Sequence, residues 1–338
     1  MIATEIKKLS PDSSLAANQA VLADAADLLR GGDLLAFPTE TVYGLGALAS
    51  DSRAVARLYQ LKGRPAFNPL IAHISDAEAA FGLGKPTRLA EKLAAAFWPG
   101  PLTLVLEKQP DCPVSQLATA GLDSIALRVP TNPLARQLLA QLGAPIVAPS
   151  ANPSGQLSPS TADHVAAGLG GEVRLILDGG PCEKGLESTI IDARGDRPVI
   201  LRPGPVTAEM LTALGQPSSP GQPSSPGQPS SPGQPISPGQ PISPGQLASH
   251  YAPQKPLRLN AITAQQGEWL IGFGRLAPAC DVTLSESGDL TEAAARLFDL
   301  LHAADAADCQ RIAIAPIPED GLGAAINDRL RRAASPKA

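Results

Sequence analysis

The chain has 338 residues, 43% of them hydrophobic and 17% charged, enough for two domains that each bury a core. Its net charge of −5 is spread: residues 1–215 carry 18 basic and 21 acidic side chains, residues 255–338 carry 9 and 11, and residues 216–254 none, so no bulk basic face for nucleic acid is expected. No apolar run is long enough for a membrane helix, the polar opening "MIATEIKKLSPDSS" lacks a signal-peptide core, and four scattered cysteines form no CxxC pair, which points to free thiols in a reducing cytoplasm rather than a disulfide frame or zinc site.

In chain order, "NQAVLADAADLLRGG" places apolar residues at helical spacing and stops at Gly31 and Gly32. "DLLAF" reads as a buried strand, and Asp51 is placed to cap a helix running to Leu61. "PLIAHI", "LTLVLE", "IALRV", "PIVAPS", "LILDGG", "STIID" and "PVILRPG" read as further strands, with helices near residues 86–96, 132–142 and 160–168 between some of them. The alternation predicts an α/β fold with a sheet of about seven strands. From Gln216 to Gly245 run three "QPSSPG" and two "QPISPG" repeats, which offer almost no apolar area to offset their ordering entropy. Fully extended, these 30 residues would span roughly 90 Å. They read as a tether whose last piece, "SPGQLASHYAP", brings His250 and Tyr251. Beyond it, "WLIGFG", a helix near 289–303, "RIAIAPI" and a closing helix near 321–333 predict a second, smaller α/β unit.

Four stretches carry chemistry. In "FPTETVYGLGALASD" a strand is expected to end at Phe37 and give way to a loop in which Thr39, Thr41 and Tyr43 offer hydroxyls and Gly44 and Gly46 admit close backbone approach. It lacks the Lys-Ser/Thr pair of a Walker loop, and an ordinary tight turn is the alternative. In "LKGRPAFNPLIAH", Lys62 and Arg64 straddle Gly63 and either converge on a polyphosphate or merely offset a helix dipole. Asn68 shares this loop, and His73 follows on a strand where a satisfied structural partner is the commoner role. "APSANPSGQLSPST" crowds Ser150, Asn152, Ser154 and Ser158 into one loop, suited to phosphate or ribose recognition or to a simple turn. Ser150 is not in a GxSxG elbow, so a hydrolase nucleophile is not expected. Arg128, on an apolar strand, requires an anion, either a ligand carboxylate or a structural Asp or Glu. Ser188 and Arg202 sit at similar strand positions. "WLIGFGRLA" imitates a dinucleotide fingerprint, but Pro278 disfavours the helix that such a site needs.

Together "PTETVYGLG", "KGRPAFNPL", "WPGPLTLVL", "LRVP", "PSANPSGQLSPST", "ESTIID", "LRPG" and "SPG…HYAP" resemble, in order and over nearly the whole chain, the threonylcarbamoyl-AMP synthases of the long form. The departures are the repeat array, where the family has a single SPG element, and Gln246, where it often has methionine. The resemblance implies a YrdC-like twisted mixed sheet with flanking helices over residues 1–215, a Pro/Gly/Ser linker over 216–254 that ends in an active-site lid, and a small Rossmann-like α/β domain over 255–338. It implies a cytoplasmic nucleotidyltransferase that makes threonylcarbamoyl-AMP and pyrophosphate from L-threonine, bicarbonate and ATP, with Mg2+ accompanying the ATP. Its product would pass to tRNA-modification enzymes. The alternative is an RNA-binding module of the YrdC-like class that contacts tRNA directly. Carried onto this sequence, the catalytic pair is Lys62 and Arg64. L-Threonine would meet Thr41, His73, Arg128 and Ser188. ATP would meet Lys62, Arg64, Asn68, Ser124, Ser150, Asn152, Ser158, Arg202, His250 and Tyr251. The labile carbamate calls for a dry site, which His250 and Tyr251 are expected to close. Extra linker length is expected to be tolerated, since each doubling of a flexible loop costs only about 0.6 kcal/mol.

Overall fold

A computed structural model describes residues 3–9, 15–216, 218–220, 250–274 and 280–335. Most of the repeat array, residues 221–249 together with Gln246 and the final SPG, lies outside the described residues. The larger sheet draws on β1 (Glu5–Lys8), β2 (Leu35–Phe37), β3 (Gly44–Leu48), β4 (Ile71–His73), β5 (Leu102–Glu107), β6 (Ser124–Arg128), β7 (Ile146–Val147), β8 (Leu175–Asp178), β9 (Thr189–Asp192), β10 (Val199–Arg202) and β11 (Ser219–Pro220). Their order across the sheet is β1-β8-β2-β3-β7-β4-β6-β5-β9-β10-β11. Pairing is mixed: β4 runs parallel to β6, β5 parallel to β9, and β5 antiparallel to β6. The α/β mixed-sheet expectation holds, but about seven strands becomes eleven among the described residues. The additions are short, or hidden in loop-like sequence, as β3 is.

That strand corrects the reading of "PTETVYGLG". The glycines lie not in a loop but in β3, which folds back antiparallel on β2. A Cβ at Gly46 would sit 3.0 Å from Phe37 and from Ile146, and one at Gly44 3.1 Å from Ala148. The missing side chains make room for Phe37, not for a phosphate. Tyr43 is fully buried, and its hydroxyl donates to the Gly180 carbonyl at 2.7 Å, so it ties two loops together rather than facing a ligand.

Strand alternation sorts the core onto two faces. Ala36, Leu45, Ala72, Leu104, Leu127, Ile176 and Ile191 pack with helices α2 (Ser52–Lys62), α4 (Arg88–Phe97) and α6 (Ala162–Leu169). Leu35, Phe37, Leu175 and Leu177 point the other way, under α1 (Leu15–Arg30) and α5 (Pro133–Leu142). Local chemistry marks both ends of α2. Asp51 caps α2 by accepting from the Arg53 and Ala54 amides, and Gly63 terminates it at φ 59°. Further along the second face, Ile71, Val105, Ala126 and Ile190 form a small separate cluster.

The second sheet, β12 (Leu257–Arg258), β13 (Glu268–Gly272), β14 (Val282–Thr283) and β15 (Arg311–Ile314), is parallel throughout in the order β12-β15-β13-β14. Helices α8 (Leu290–Ala306) and α9 (Leu322–Ala333) pack on it. A single core joins these helices to Val42, Leu157, Leu186 and Tyr251. The approach is close: Gly185, at φ 63°, has the Ala294 carbonyl 2.4 Å from where a Cβ would stand. No helix among the described residues is long and apolar enough to cross a membrane.

At the same junction His164 of α6 stacks on His302 of α8, ring centroids 3.9 Å apart. His302 Nε2 contacts the Ser158 carbonyl at 3.2 Å, Ser160 meets His164 Nδ1, and Asp299, Asp305 and Asp163 supply the nearby negative charge. Burial, then the facing His164, lowers the His302 pKa from 6.5 to about 4, and burial lowers that of His164 as well. Unfolded, both rings would take protons near pH 6.5. The unfolded state therefore binds more protons between pH 6.5 and about 4, and stability is expected to fall as pH drops through that window. Full loss of the His302 contribution would reach about 3 kcal/mol. Thermal unfolding at pH 7.5 and pH 5 should show a smaller drop for His302→Gln than for the parent; parallel curves would contradict the assignment.

Candidate active site

Alternation along β4 and β6 places His73 beside Ile71 and Arg128 beside Ala126, on the face carrying the small apolar cluster. A cavity of about 50 Å3 opens there, lined among others by Thr41, Arg64, His73, Arg128, Ser150, Ser188, Arg202, His250 and Tyr251. Nine of the residues singled out from sequence thus converge from seven separate segments. Arg202 arrives by a register irregularity. Ile200 pairs with Ile191, but Arg202 pairs with Ile190, so the extra residue turns Arg202 to the Ile190 face instead of the opposite one. The glycine after it is forced as well, since a Cβ at Gly204 would stand 2.5 Å from the Thr189 amide.

The cations fall into two kinds. Arg128 donates from Nη2 to Glu40 Oε1 at 2.7 Å, and Glu40 Oε2 accepts from the Thr131 amide at 3.1 Å. The anion that Arg128 required is therefore Glu40, yet Arg128 Nε stays buried without a partner. Lys62, Arg64 and Arg202, all buried, bond to neutral oxygens instead. Lys62 donates to the Ser150 carbonyl at 2.5 Å and to the Asn152 carbonyl. Arg64 donates to the Asn68 and Pro69 carbonyls at 3.1 and 2.9 Å, and Arg202 to the Ser188 carbonyl. Burial and then the Arg64 charge push the Lys62 ammonium well below its usual pKa, and burial brings Arg64 down to about 10. Positive charge held in a dry site without matching carboxylates calls for an anion.

Hydrogen-bonding capacity is likewise left over. Among the described residues, buried side-chain atoms without partners include Asn68 Nδ2 and Oδ1, His73 Nδ1, His250 Nδ1 and the Tyr251 hydroxyl. Buried polar groups are ordinarily satisfied, and the exceptions on His73, Arg128, His250 and Tyr251 belong to residues that line this cavity, which suits it to a polar ligand. Burial and the Arg128 charge hold His73 neutral, with its pKa at about 3. Thr39 Oγ1 donates to the Val42 carbonyl at 2.7 Å and lies 2.8 Å from Thr41 Oγ1. Thr41 must then donate to Thr39, which leaves its own oxygen able to accept from a ligand.

His250 and Tyr251 lie 6% and 1% exposed over the cavity, rings 4.1 Å apart. The Ala252 amide donates to the Gly155 carbonyl at 2.8 Å, and Tyr251 sits in the left-handed region at φ 63°, a strained conformation for an aromatic residue.

Five expected residues stand apart from the cavity lining: Lys62 and Asn68, which reach it through Ser150 and Arg64, and Asn152, Ser158 and Ser124. Asn152 lies behind it, its amide donating to the Pro153 and Gln156 carbonyls. Ser158 donates to Glu187 Oε1 at 2.5 Å. Ser124 occupies the start of β6 opposite Glu107, about 13 Å from Arg128 at the usual strand rise. Sequence reasoning passed over Glu40, Glu187 and Arg329. The first two sit inside recognised motifs as the only acid in "PTETVYG" and in "ESTI", which was the available signal; Arg329 carried none.

Residues 27–204 match a family described as Sua5/YciO/YrdC, telomere recombination, and residues 206–335 match the threonylcarbamoyl-AMP synthase C-terminal domain. The chain is 40% identical to the threonylcarbamoyl-AMP synthase of Bacillus subtilis, over 95% of its own length and 94% of that protein's. Its fold superposes on Pyrococcus abyssi Sua5 complexed with L-threonine with a TM-score of 0.83 and 36% identity, covering 98% of each chain. A variant of that protein with a His and a Tyr changed to Ala gives 0.82 and 34%, over 98% and 96% of the two chains. With both halves matched in order and one relative aligned nearly end to end, this chain belongs to the threonylcarbamoyl-AMP synthase family, in the form that carries a C-terminal domain.

Proposed function

We infer that the chain is a nucleotidyltransferase that converts L-threonine, bicarbonate and ATP into threonylcarbamoyl-AMP, pyrophosphate and water. The observation that carries this reading is the juxtaposition of buried cations without carboxylate partners, Arg64 and Arg202 lining one cavity and Lys62 bonded to Ser150 of its lining, with a separate Arg128–His73–Thr41 corner. A triphosphate suits the first and a small zwitterion the second. Arg128, steadied from behind by Glu40, turns Nε to the threonine carboxylate; neutral His73 meets the threonine hydroxyl through Nδ1; Thr41 and Ser188 complete the corner. The threonine amine adds to the bicarbonate carbon, water leaves, and a carbamate forms. A carbamate oxygen then attacks the α-phosphorus as the bond to pyrophosphate breaks. Lys62, Arg64 and Arg202 stabilise the charge that develops on the leaving pyrophosphate, with Asn68, Ser150 and Asn152 setting the nucleotide's position and Ser124 and Ser158 contributing from further off.

Magnesium would accompany the ATP and offset part of its phosphate charge beside Lys62, Arg64 and Arg202. The product, a mixed anhydride, is delivered to cytoplasmic tRNA-modification enzymes. Direct RNA binding is the weaker reading, because the cations of the site are buried and the chain's net charge is −5. Radiolabelled bicarbonate should enter an AMP adduct only when L-threonine is present. Label entering without threonine, or tRNA binding with no adduct, would sink the assignment.

His250 and Tyr251 act as a lid that keeps water from the carbamate and the anhydride. Changing both to alanine is expected to lower turnover about tenfold or more and raise the share of free AMP. An unchanged ratio of AMP to adduct would remove the lid.

A further inference from the structure

The final helix sends one side chain into the neighbourhood of this site. Arg329 of α9 is 1% exposed, and its Nε donates to Glu187 Oε2 at 2.8 Å. The other Glu187 oxygen accepts from Ser158, and Nη1 of Arg329 donates to Asp328 Oδ2 at 2.7 Å. The guanidinium carbon lies 5.1 Å from the centre of the Tyr251 ring, within cation–π range. Its Nη2 is buried without a partner. Glu187 lines the cavity, as do its neighbour Ser188 and Arg202. Arg202 bonds to Ser188 but forms no ion pair with Glu187, although its charge acts on that carboxylate.

We propose that Arg329 is a positioning residue for nucleotide binding: by engaging Glu187 it keeps this carboxylate from pairing with Arg202, leaving the Arg202 charge for a phosphate, and it seats Tyr251 over the site. The inference rests on the proposed function and gives the C-terminal domain a part in it. Two groups compete for one anion. Burial would raise the Glu187 carboxyl, but Arg329, Arg202 and Ser158 together hold it ionised below its usual pKa. A permanent negative charge there has two cations in reach, and geometry assigns it to Arg329. Without Arg329 the cation left acting on Glu187 would be Arg202, and a triphosphate would have to displace Glu187 to bind. A buried ion pair adds little stability compared with apolar packing, so interdomain adhesion is a poor account of this one.

The test titrates the full chain with ATP and, separately, with L-threonine by calorimetry. Arg329→Met is expected to weaken ATP binding about tenfold while threonine binding stays within about twofold. Adding Glu187→Gln to Arg329→Met should restore most of the ATP affinity, because the competing charge is gone. Unchanged ATP binding in Arg329→Met, equal weakening of both ligands, or no recovery in the double variant would each overturn the proposal. If Arg329→Met does not fold, Arg329→Lys and the double variant carry the test. Lysine keeps a positive charge but lacks the second donor to Asp328 and the planar group over Tyr251 that hold the guanidinium against Glu187, so Arg329→Lys should bind ATP more weakly than the double variant, and the reverse order overturns the idea. Because binding is read directly, a parent chain that binds ATP yet forms no adduct would sink the functional reading without deciding this one.

Discussion

Lys62→Met is expected to lower adenylate formation about 100- to 1000-fold while the fold survives. The ammonium stands where α2 ends, buried beside Arg64, with the Ser150 and Asn152 carbonyls as partners. Two effects oppose each other in the stability of the variant. Removing the ammonium strips two carbonyls of a donor, at about 1–3 kcal/mol each. It also relieves a buried charge that no carboxylate balances, worth several kcal/mol in the other direction. The thermal midpoint should therefore move little compared with the activity. Incorporation of label from ATP into the adduct, followed beside thermal unfolding, separates the two. A variant that keeps more than about a tenth of the parent rate would show that charge at this position is not used in the transition state.

Arg128→Met should behave in the opposite way, with stability and threonine binding falling together. Glu40 would be left buried without its cation, a loss of about 3–5 kcal/mol. Arg128→Met combined with Glu40→Gln removes both charges and should regain most of that stability. It should not regain threonine affinity, because the donor at Arg128 Nε stays absent. Thermal unfolding and threonine titration of both variants read the two quantities independently. If the double variant bound threonine like the parent, Arg128 would be a structural cation and the corner would need another carboxylate partner. The pair illustrates how a buried arginine serves twice. One edge of its fork is anchored by protein at 2.7 Å, and a different nitrogen is left for a ligand.

Much of the molecule is legible in residue order. Asp51, the α2 stripe and Gly63 announce a helix with both ends marked, and Lys62 and Arg64 straddling the glycine put two cations at one helix end. The apolar runs of "LTLVLE" and "IALRV" become paired strands over the expected spans. Such patterns report the backbone conformation and burial of residues a few positions apart, which is why they survive without coordinates. The hairpin hidden in "PTETVYGLG" was misread because a glycine pair signals a turn equally well, and the packing of Phe37 that requires it comes from outside the segment.

What residue order could not supply is who faces whom. Glu40 meets Arg128 across 88 positions and Glu187 meets Arg329 across 142, distances in sequence over which no local pattern carries information. The sheet order, the extra residue that turns Arg202 to the cavity, and the docking of α9 bring them together. Local composition thus settled the elements and the types of charge the chain would bury. The long-range packing of two sheets settled which charges are neutralised and which remain for a ligand, because ion pairing depends on a few ångströms of approach that only the assembled fold defines.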